Sequence, residues 1–272
     1  MTVNISSVPY CSTFADHDVC WGVRLNTAFY SKVLTMALIV LIGLVGNLLL
    51  SFTILLSPRL RAKSINLFII NLSLSNLLNL VLVAPLVTTD SVTEFFVLGG
   101  LGCRGVRVLQ TMLFIVPMLT LLVISLDRFL AIRFPFRDLR YNRKALFICS
   151  LVWLVGAATS TPQYNTKLLE TYIFKDVKFQ VCYDSWDLKR EWQRQRIYKF
   201  SLLSIMFIIP FTGLLIFYSG ILIKMRRLAA KIGVVDAVHR ENMSNIAKMV
   251  ILVILTTTFC WLPLTVYWIL KE

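Results

Sequence analysis

At 272 residues the chain has room for one or two soluble domains, but a composition of 57% hydrophobic and only 15% charged residues excludes an ordinary soluble protein. Soluble chains are about 45–50% apolar and about 25% charged. The 28 Lys and Arg against 14 Asp and Glu give a formal net charge of +14. In a soluble protein this excess would indicate nucleic-acid binding, whereas a membrane protein concentrates its Lys and Arg on one side.

Six apolar stretches are each long enough to cross a hydrocarbon core of about 30 Å as a helix of about 20 residues. They are Val33–Leu56, Ile65–Val87, Val106–Ile132, Ala145–Thr161, Tyr198–Ile223 and Ala247–Leu270. With their flanking turns they predict helices at about 30–57, 65–88, 102–134, 144–162, 197–228 and 243–270. None shows the alternation of a membrane β-strand. We therefore expect an all-α membrane bundle over residues 30–272, preceded by a tail of residues 1–29.

The short loops predict the orientation of this bundle. The loops after the first, third and fifth predicted helices are rich in bases, whereas the loop after the second, Thr88–Gly102, carries acids and no base. The basic loops are then cytoplasmic and the tail is extracellular. On this topology the inside holds 15 bases and 4 acids, and the outside holds 13 bases and 10 acids. Most of the net positive charge thus lies on the predicted cytoplasmic side and is explained by the orientation of the bundle. Nucleic-acid binding is therefore not expected.

Four cysteines and a glycosylation sequon fall on the predicted outer side. Cys11, Cys20, Cys103 and Cys182 lie where disulfides persist. A bond from Cys103 to Cys182 would hold the long outer loop over the mouth of the bundle, and a second bond could join Cys11 to Cys20. Unrelated thiols are the alternative for both pairs. Asn4 begins an acceptor sequon on the exposed tail, so we expect a glycan there.

Polar and proline residues inside the predicted helices form an ordered pattern. It consists of Gly46 and Asn47 in the first helix, Asn76 in the second, Asp127 and Arg128 at the end of the third, Trp153 in the fourth, Pro210 and Tyr218 in the fifth, and Trp261 and Pro263 in the sixth. In this order and spacing the pattern resembles the rhodopsin-like (class A) G-protein-coupled receptors, and the neuropeptide receptors most of all. Cys103 precedes Arg128 by 25 residues, about 37 Å of helix, so one helix places them at opposite membrane faces.

The resemblance implies a role in activation for several of these residues. Asp127 is expected to hold the Arg128 guanidinium at rest and to release it towards a G protein on activation. Tyr218 is expected to support the open state. Trp261, beside the kink at Pro263, is expected to relay ligand contact into movement of the sixth helix.

Other positions depart from the family pattern. The family usually has an aspartate at Asn76 and a small hydroxyl residue at Pro117, which together with the region of Asn47 hold a sodium ion. An amide carries no charge and proline has no donor, so we expect a weak or absent sodium site, and no cofactor. In the family, an acidic residue near the inner end of the sixth helix often pairs with the arginine at the position of Arg128. Met243 stands at that acidic position, so we expect a weaker contact between the third and sixth helices and raised basal signalling.

Gln110 stands where amine receptors have the aspartate that binds the ligand ammonium, so an amine agonist is not expected. A glutamine donates and accepts at once, which suits an amide or a peptide backbone, and it resembles receptors for short amidated neuropeptides. The alternation over Thr171–Cys182 predicts a β-hairpin in the second extracellular loop, above the pocket. The predicted pocket residues are Gln110, Thr111, Phe114, Gln163, Tyr164, Trp261, Leu264, Tyr267 and Trp268. A belt at the lipid interface is the alternative for Tyr267 and Trp268.

The family's seventh helix does not follow the sixth predicted helix, so the resemblance implies a bundle cut to six helices, as a fragment or a truncated isoform. The expected function is a plasma-membrane receptor that binds an extracellular peptide and activates a heterotrimeric G protein. The alternatives are a receptor for a small molecule or lipid, and a non-signalling form that inhibits a full-length receptor. No enzymatic activity is expected, because the predicted spans lack paired catalytic groups.

Overall fold

A computed structural model describes residues 10–14, 17–21, 27–93, 98–134, 142–174, 177–184 and 192–232. In chain order the elements are β1 Tyr10–Phe14, β2 His17–Trp21, α1 Thr27–Leu56, α2 Pro58–Arg61, α3 Ser64–Leu78, α4 Ala84–Thr93, α5 Gly99–Arg133, α6 Asn142–Ser160, α7 Pro162–Asn165, β3 Lys167–Phe174, β4 Val177–Asp184, α8 Trp192–Leu203 and α9 Ile209–Ile232. Single π-helical turns, Asn79–Val83 and Ser204–Ile208, join α3 to α4 and α8 to α9.

Five stretches of these helices are long and apolar enough to cross a membrane. In chain order the first to fifth spans are Phe29–Leu56, Ser64–Thr89, Gly99–Arg133, Arg143–Asn165 and Arg196–Lys224. They coincide with the first five predicted helices. The prediction of an all-α membrane architecture is thus confirmed for these five spans. The sixth predicted helix, about 243–270, lies outside the described residues.

Two helical stretches are longer than the sequence predicts. The predicted loop from Thr88 is helical as far as Thr93. Thr88 Oγ1 donates to the Ala84 carbonyl at 2.7 Å, so this hydroxyl does not end the helix. The fifth helical stretch begins at Trp192 instead of about residue 197 and ends at Ile232 instead of about residue 228. Its extra turns are rich in Gln, Arg, Ala and Lys, which are good helix formers outside the apolar core.

Two prolines each follow a π-helical turn. Pro85 comes directly after the turn Asn79–Val83 and the first residue of α4, and Pro210 comes after Ser204–Ile208 and the first residue of α9. A proline ring collides with the carbonyl four residues earlier and removes one backbone hydrogen bond. The wider π turn makes room for that ring. Pro117, by contrast, lies inside the uninterrupted helix α5.

The third span is the centre of the bundle. Its middle holds the fully buried side chains of Leu113, Ile115 and Val116, and α5 packs against α3, α6 and α9. The first span is its opposite, because most of its large apolar side chains are exposed, as expected for a helix that faces lipid on much of its surface.

Two antiparallel strand pairs accompany the helices. In the pair β1 and β2, Cys11 lies opposite Cys20. In the pair β3 and β4, Leu169 lies opposite Cys182. The β3 and β4 pair packs against α5, next to the end of the third span that carries Cys103.

Candidate functional site

A disulfide joins the third span to the β3 and β4 pair. Cys103 and Cys182 are bonded across 79 residues of sequence, with their Cα atoms 5.6 Å apart, and Cys103 has no exposed surface. This bond fixes the strands beside the end of α5. Its formation agrees with the pairing considered from the sequence. The bond between Cys11 and Cys20 stays a prediction, although the strand register places the two residues opposite each other.

Two arginines on α5 contact residues of the predicted ligand pocket. The Arg104 guanidinium lies 5.5 Å from the centre of the Tyr164 ring, within the range of a cation–π contact. One turn further, Arg107 Nη1 donates to Gln110 Oε1 at 3.1 Å. A guanidinium only donates hydrogen bonds, so this contact fixes the amide with its oxygen towards Arg107. The Gln110 Nε2 group takes no part in this bond.

A cluster of aromatic rings lies between the third and fifth spans. The rings of Phe114 and Phe207 are 5.8 Å apart, and those of Phe207 and Phe211 are stacked at 6.3 Å. Thr111 is buried between the helices and is 7% exposed, while Gln163 is half-buried on α7. Phe207 and Phe211 are absent from the pocket predicted from the sequence, because the rotation of the fifth span is needed to place them.

The other predicted ligand and relay residues are not described. Trp261, Pro263, Leu264, Tyr267, Trp268 and the sequon residue Asn4 lie outside the described residues, as does Met243. Their roles stay predictions.

The two predicted asparagines of the interior are in contact. Asn76 Nδ2 donates to Asn47 Oδ1 at 3.1 Å, and Asn47 Nδ2 donates to the Gly43 carbonyl at 2.8 Å. These bonds join the first and second spans through neutral amides. Within the described residues there is no cluster of three or more His, Cys, Asp or Glu side chains that could hold a metal ion.

A second amide network joins three spans, and the sequence did not reveal it. Asn71 Nδ2 donates to Thr120 Oγ1 at 2.9 Å, and Trp153 Nε1 donates to Asn71 Oδ1 at 2.8 Å. Thr120 Oγ1 in turn donates to the Val116 carbonyl at 2.7 Å. The signal that the sequence does contain is the position of Asn71, a polar residue inside a predicted span, where it needs a partner. In the structure its side chain is 8% exposed.

Three of the predicted switch residues, Asp127, Arg128 and Tyr218, lie near the other end of the third span. Arg128 Nη2 lies 3.2 Å from Asp127 Oδ2, with the arginine side chain 44% exposed and the aspartate 16% exposed. Tyr218 is buried in a cluster with Leu214 and Ile221, against which Phe129 packs. Among the described residues, Asp127 is the one carboxylate that pairs with the Arg128 guanidinium.

The family with the description "7 transmembrane receptor (rhodopsin family)" matches residues 46–272. The chain belongs to this family. The resemblance that the sequence pattern predicts is thereby confirmed, and the chain is a multi-pass membrane protein of a family of receptors rather than enzymes.

Three relatives illustrate the match. The RYamide receptor of Tribolium castaneum is 28% identical over 258 residues, which are 91% of this chain and 70% of the relative. Galanin receptor 2a of Danio rerio is 31% identical over 235 residues, 85% of this chain and 61% of the relative. The pyroglutamylated RF-amide peptide receptor of Rattus norvegicus is 27% identical over 264 residues, 92% of this chain and 59% of the relative. The chain therefore spans between 59% and 70% of the length of these relatives.

Proposed function

We propose that this chain is a G-protein-coupled receptor of the plasma membrane that binds an extracellular peptide and activates a heterotrimeric G protein. The observation that carries the peptide assignment is the family membership together with its relatives, which are receptors for RYamide, galanin and an RF-amide peptide. In this proposal the tail and the β3 and β4 pair are extracellular, with the strand pair in the second extracellular loop, and Asn4 carries a glycan.

The mouth of the pocket supports the same ligand class. Gln110 keeps its Nε2 donor for the ligand, because Arg107 already occupies its oxygen. A peptide carbonyl or terminal amide supplies the matching acceptor. Below it, Phe114 and Phe207 offer an apolar surface for a ligand side chain. In this proposal Trp261, Leu264, Tyr267 and Trp268 complete the pocket, and Trp261 and Pro263 pass ligand contact to the inner end.

At the inner end, the Asp127–Arg128 pair and Tyr218 form the proposed switch. The Arg128 guanidinium is partly exposed, so exchange of the carboxylate for groups of a G protein needs a change of partner rather than exposure of a buried charge. The basic loops on that side are the proposed contact for the G protein.

The test is expression of the full chain in cells with an epitope tag at residue 1, followed by amidated peptides and measurement of calcium and cyclic AMP. We expect staining without permeabilisation and a response to a peptide. We expect Gln110→Leu to lower the potency of that peptide at least about tenfold, which is about 1.4 kcal/mol. Gln193→Leu, at an exposed glutamine of α8, is the matched control. Staining only after permeabilisation contradicts the orientation. A response only to a lipid or small molecule contradicts the peptide assignment, and silence with inhibition of a co-expressed full-length receptor favours the non-signalling alternative.

A further inference from the structure

An apolar cleft opens between the second, third and fourth spans, next to their basic ends. Its volume is about 80 Å³, room for a few methylene groups. Its walls include Phe68, Leu126 and Ile148, and its polar edge consists of Ser64, Asp127 and Lys144. The proposed ligand pocket is at the other end of α5, so this cleft is a separate feature of the molecule.

Five basic residues lie on the edge of the cleft or on segments next to its lining residues, and one of them, Lys144, lines it directly. Lys63 precedes the lining residue Ser64, and Arg143 precedes the lining residue Lys144. Arg59 and Arg61 are on the neighbouring turn α2. All five are exposed, and the structure gives none of them an ion pair or a side-chain hydrogen bond with any residue that it describes. They present a concentrated positive charge that the described part of the protein does not neutralise.

The basic turn is held in place against the second span. Asn66 Nδ2 donates to the Leu60 carbonyl at 2.6 Å, and Asn66 is buried, at 9% exposed. Pro58 at the first position of α2 presets the helical backbone of this turn. Arg59 and Arg61 therefore project from a fixed segment, which lowers the conformational entropy lost when they bind an anion.

The acid at the cleft does not cancel this charge. Asp127 lies on the edge, but its carboxylate is 3.2 Å from the Arg128 guanidinium. Because that pair is internally compensated, the charge facing the cleft is set by Lys144 and its basic neighbours.

We propose that this cleft binds one anionic phospholipid, with the phosphate groups on Lys63, Lys144 and the neighbouring arginines and the upper acyl chain in the apolar cleft. Basic pockets between helices on the cytoplasmic side recognise phosphoinositide head groups, and the inner leaflet is rich in anionic lipid. The inference rests on the proposed orientation, in which these helix ends are cytoplasmic. A basic loop alone only orients a bundle; the lysine at the edge of an apolar cleft is what indicates a site for an amphiphile.

The test uses the full chain in phosphatidylcholine nanodiscs that contain a few per cent of phosphatidylinositol 4,5-bisphosphate, with native mass spectrometry to count retained lipids. The variant is Lys63→Gln with Lys144→Gln. The matched control is Arg226→Gln with Arg227→Gln, which removes the same charge from two exposed arginines of α9. We expect one retained lipid on the wild type, a loss of at least tenfold in its retention by the lysine variant, and no change in the control.

Three results would overturn the proposal: no retained lipid on the wild type, equal losses in both double variants, or displacement by soluble inositol 1,4,5-trisphosphate at the same concentration as the lipid. The second indicates long-range attraction only, and the third a phosphate site that takes no acyl chain. Both leaflets of a nanodisc have the same composition, so the result is independent of the orientation in cells. Failure of the lipid site is thereby distinguished from failure of the proposed topology, which the tag at residue 1 tests.

Discussion

At the scale of single residues, one amide joins three helices of the core. Asn71 accepts from Trp153 and donates to Thr120, at 2.8 and 2.9 Å. We expect Asn71→Ala to lower the free energy of unfolding by about 1–3 kcal/mol, because the half-buried Trp153 Nε1 donor loses its partner. Unfolding of the purified protein in mixed micelles measures the change.

Two further variants separate this network from a general effect of truncation. Ser150→Ala removes an exposed hydroxyl that bonds only within its own helix, to the Leu146 carbonyl at 3.1 Å; it is expected to change stability by less than about 0.5 kcal/mol. Combining Asn71→Ala with Trp153→Phe should cost about 0.5–3 kcal/mol less than the sum of the single changes. Simple additivity of the two would mean that the bond between them does not stabilise the fold.

The disulfide is the second feature that a single residue controls. Cys103→Ser removes the bond to Cys182, and loss of a native disulfide typically costs about 2–5 kcal/mol. We expect a lower unfolding temperature and faster proteolysis of the β3 and β4 segment. Cys149→Ser is the control, because Cys149 is a half-buried free thiol. Equal changes in the two variants would contradict a specific role for the bond.

The sequence predicts single residues best where topology narrows the choice of partners. Cys103 and Cys182 both fall on the predicted outer side, as do Cys11 and Cys20, so the possible pairs are few and do not depend on helix rotation. The partners of Asn71 could not be predicted, because they depend on how the second span is turned towards the third and fourth. The same limit explains why the contact of Arg107 with Gln110 and the position of Phe207 are found only in the structure.

At the scale of elements, α9 approaches α5 closely at Gly220. A Cβ atom added at Gly220 would lie 2.5 Å from Phe129 Cε2, and the Phe129 ring already packs on Phe217 at 5.6 Å. Gly220→Ala therefore forces the ring or the helices apart, and we expect a loss of about 1–3 kcal/mol in the free energy of unfolding. Thermal unfolding of the purified protein shows whether the variant is less stable than the wild type.

Gly46 in α1 provides the matched control for that substitution. A Cβ atom added there meets nothing within 4 Å, and alanine is favoured over glycine in a helix by about 1 kcal/mol. Gly46→Ala is thus expected to leave stability unchanged or to raise it. A decrease of the same size in both variants would show that loss of glycine, rather than contact with Phe129, is responsible.

The existence of each described span follows from length and apolarity, but its ends and local geometry do not. The predicted start of the fifth helix, about residue 197, is five residues late, because the polar turn from Trp192 is still helical. The π turns before Pro85 and Pro210 were also not predicted: a proline in a sequence indicates a perturbed helix, and the packing of neighbouring helices decides between a kink and a wider turn.

At the scale of the whole molecule, the distribution of charge is expected to decide the orientation. Arg59, Arg61 and Lys63 follow the first span directly, and bases close to the first helix have the strongest effect on topology. We expect the triple change to Gln to invert part of the population, so that some chains lose the glycan expected at Asn4. The fraction is read from a glycosidase-sensitive band on a gel.

The control for this change removes three bases from the opposite end of the bundle, with Arg194, Arg196 and Lys199 replaced by Gln. Since these residues lie at the proposed outer end of the fifth span, the substitution strengthens the charge asymmetry, and glycosylation is expected to stay complete. Full glycosylation of both triple variants would show that orientation is set by something other than the basic residues, such as the tail. Unglycosylated wild type that also stains only after permeabilisation would place the tail inside and reverse the assignment of both ends of the third span.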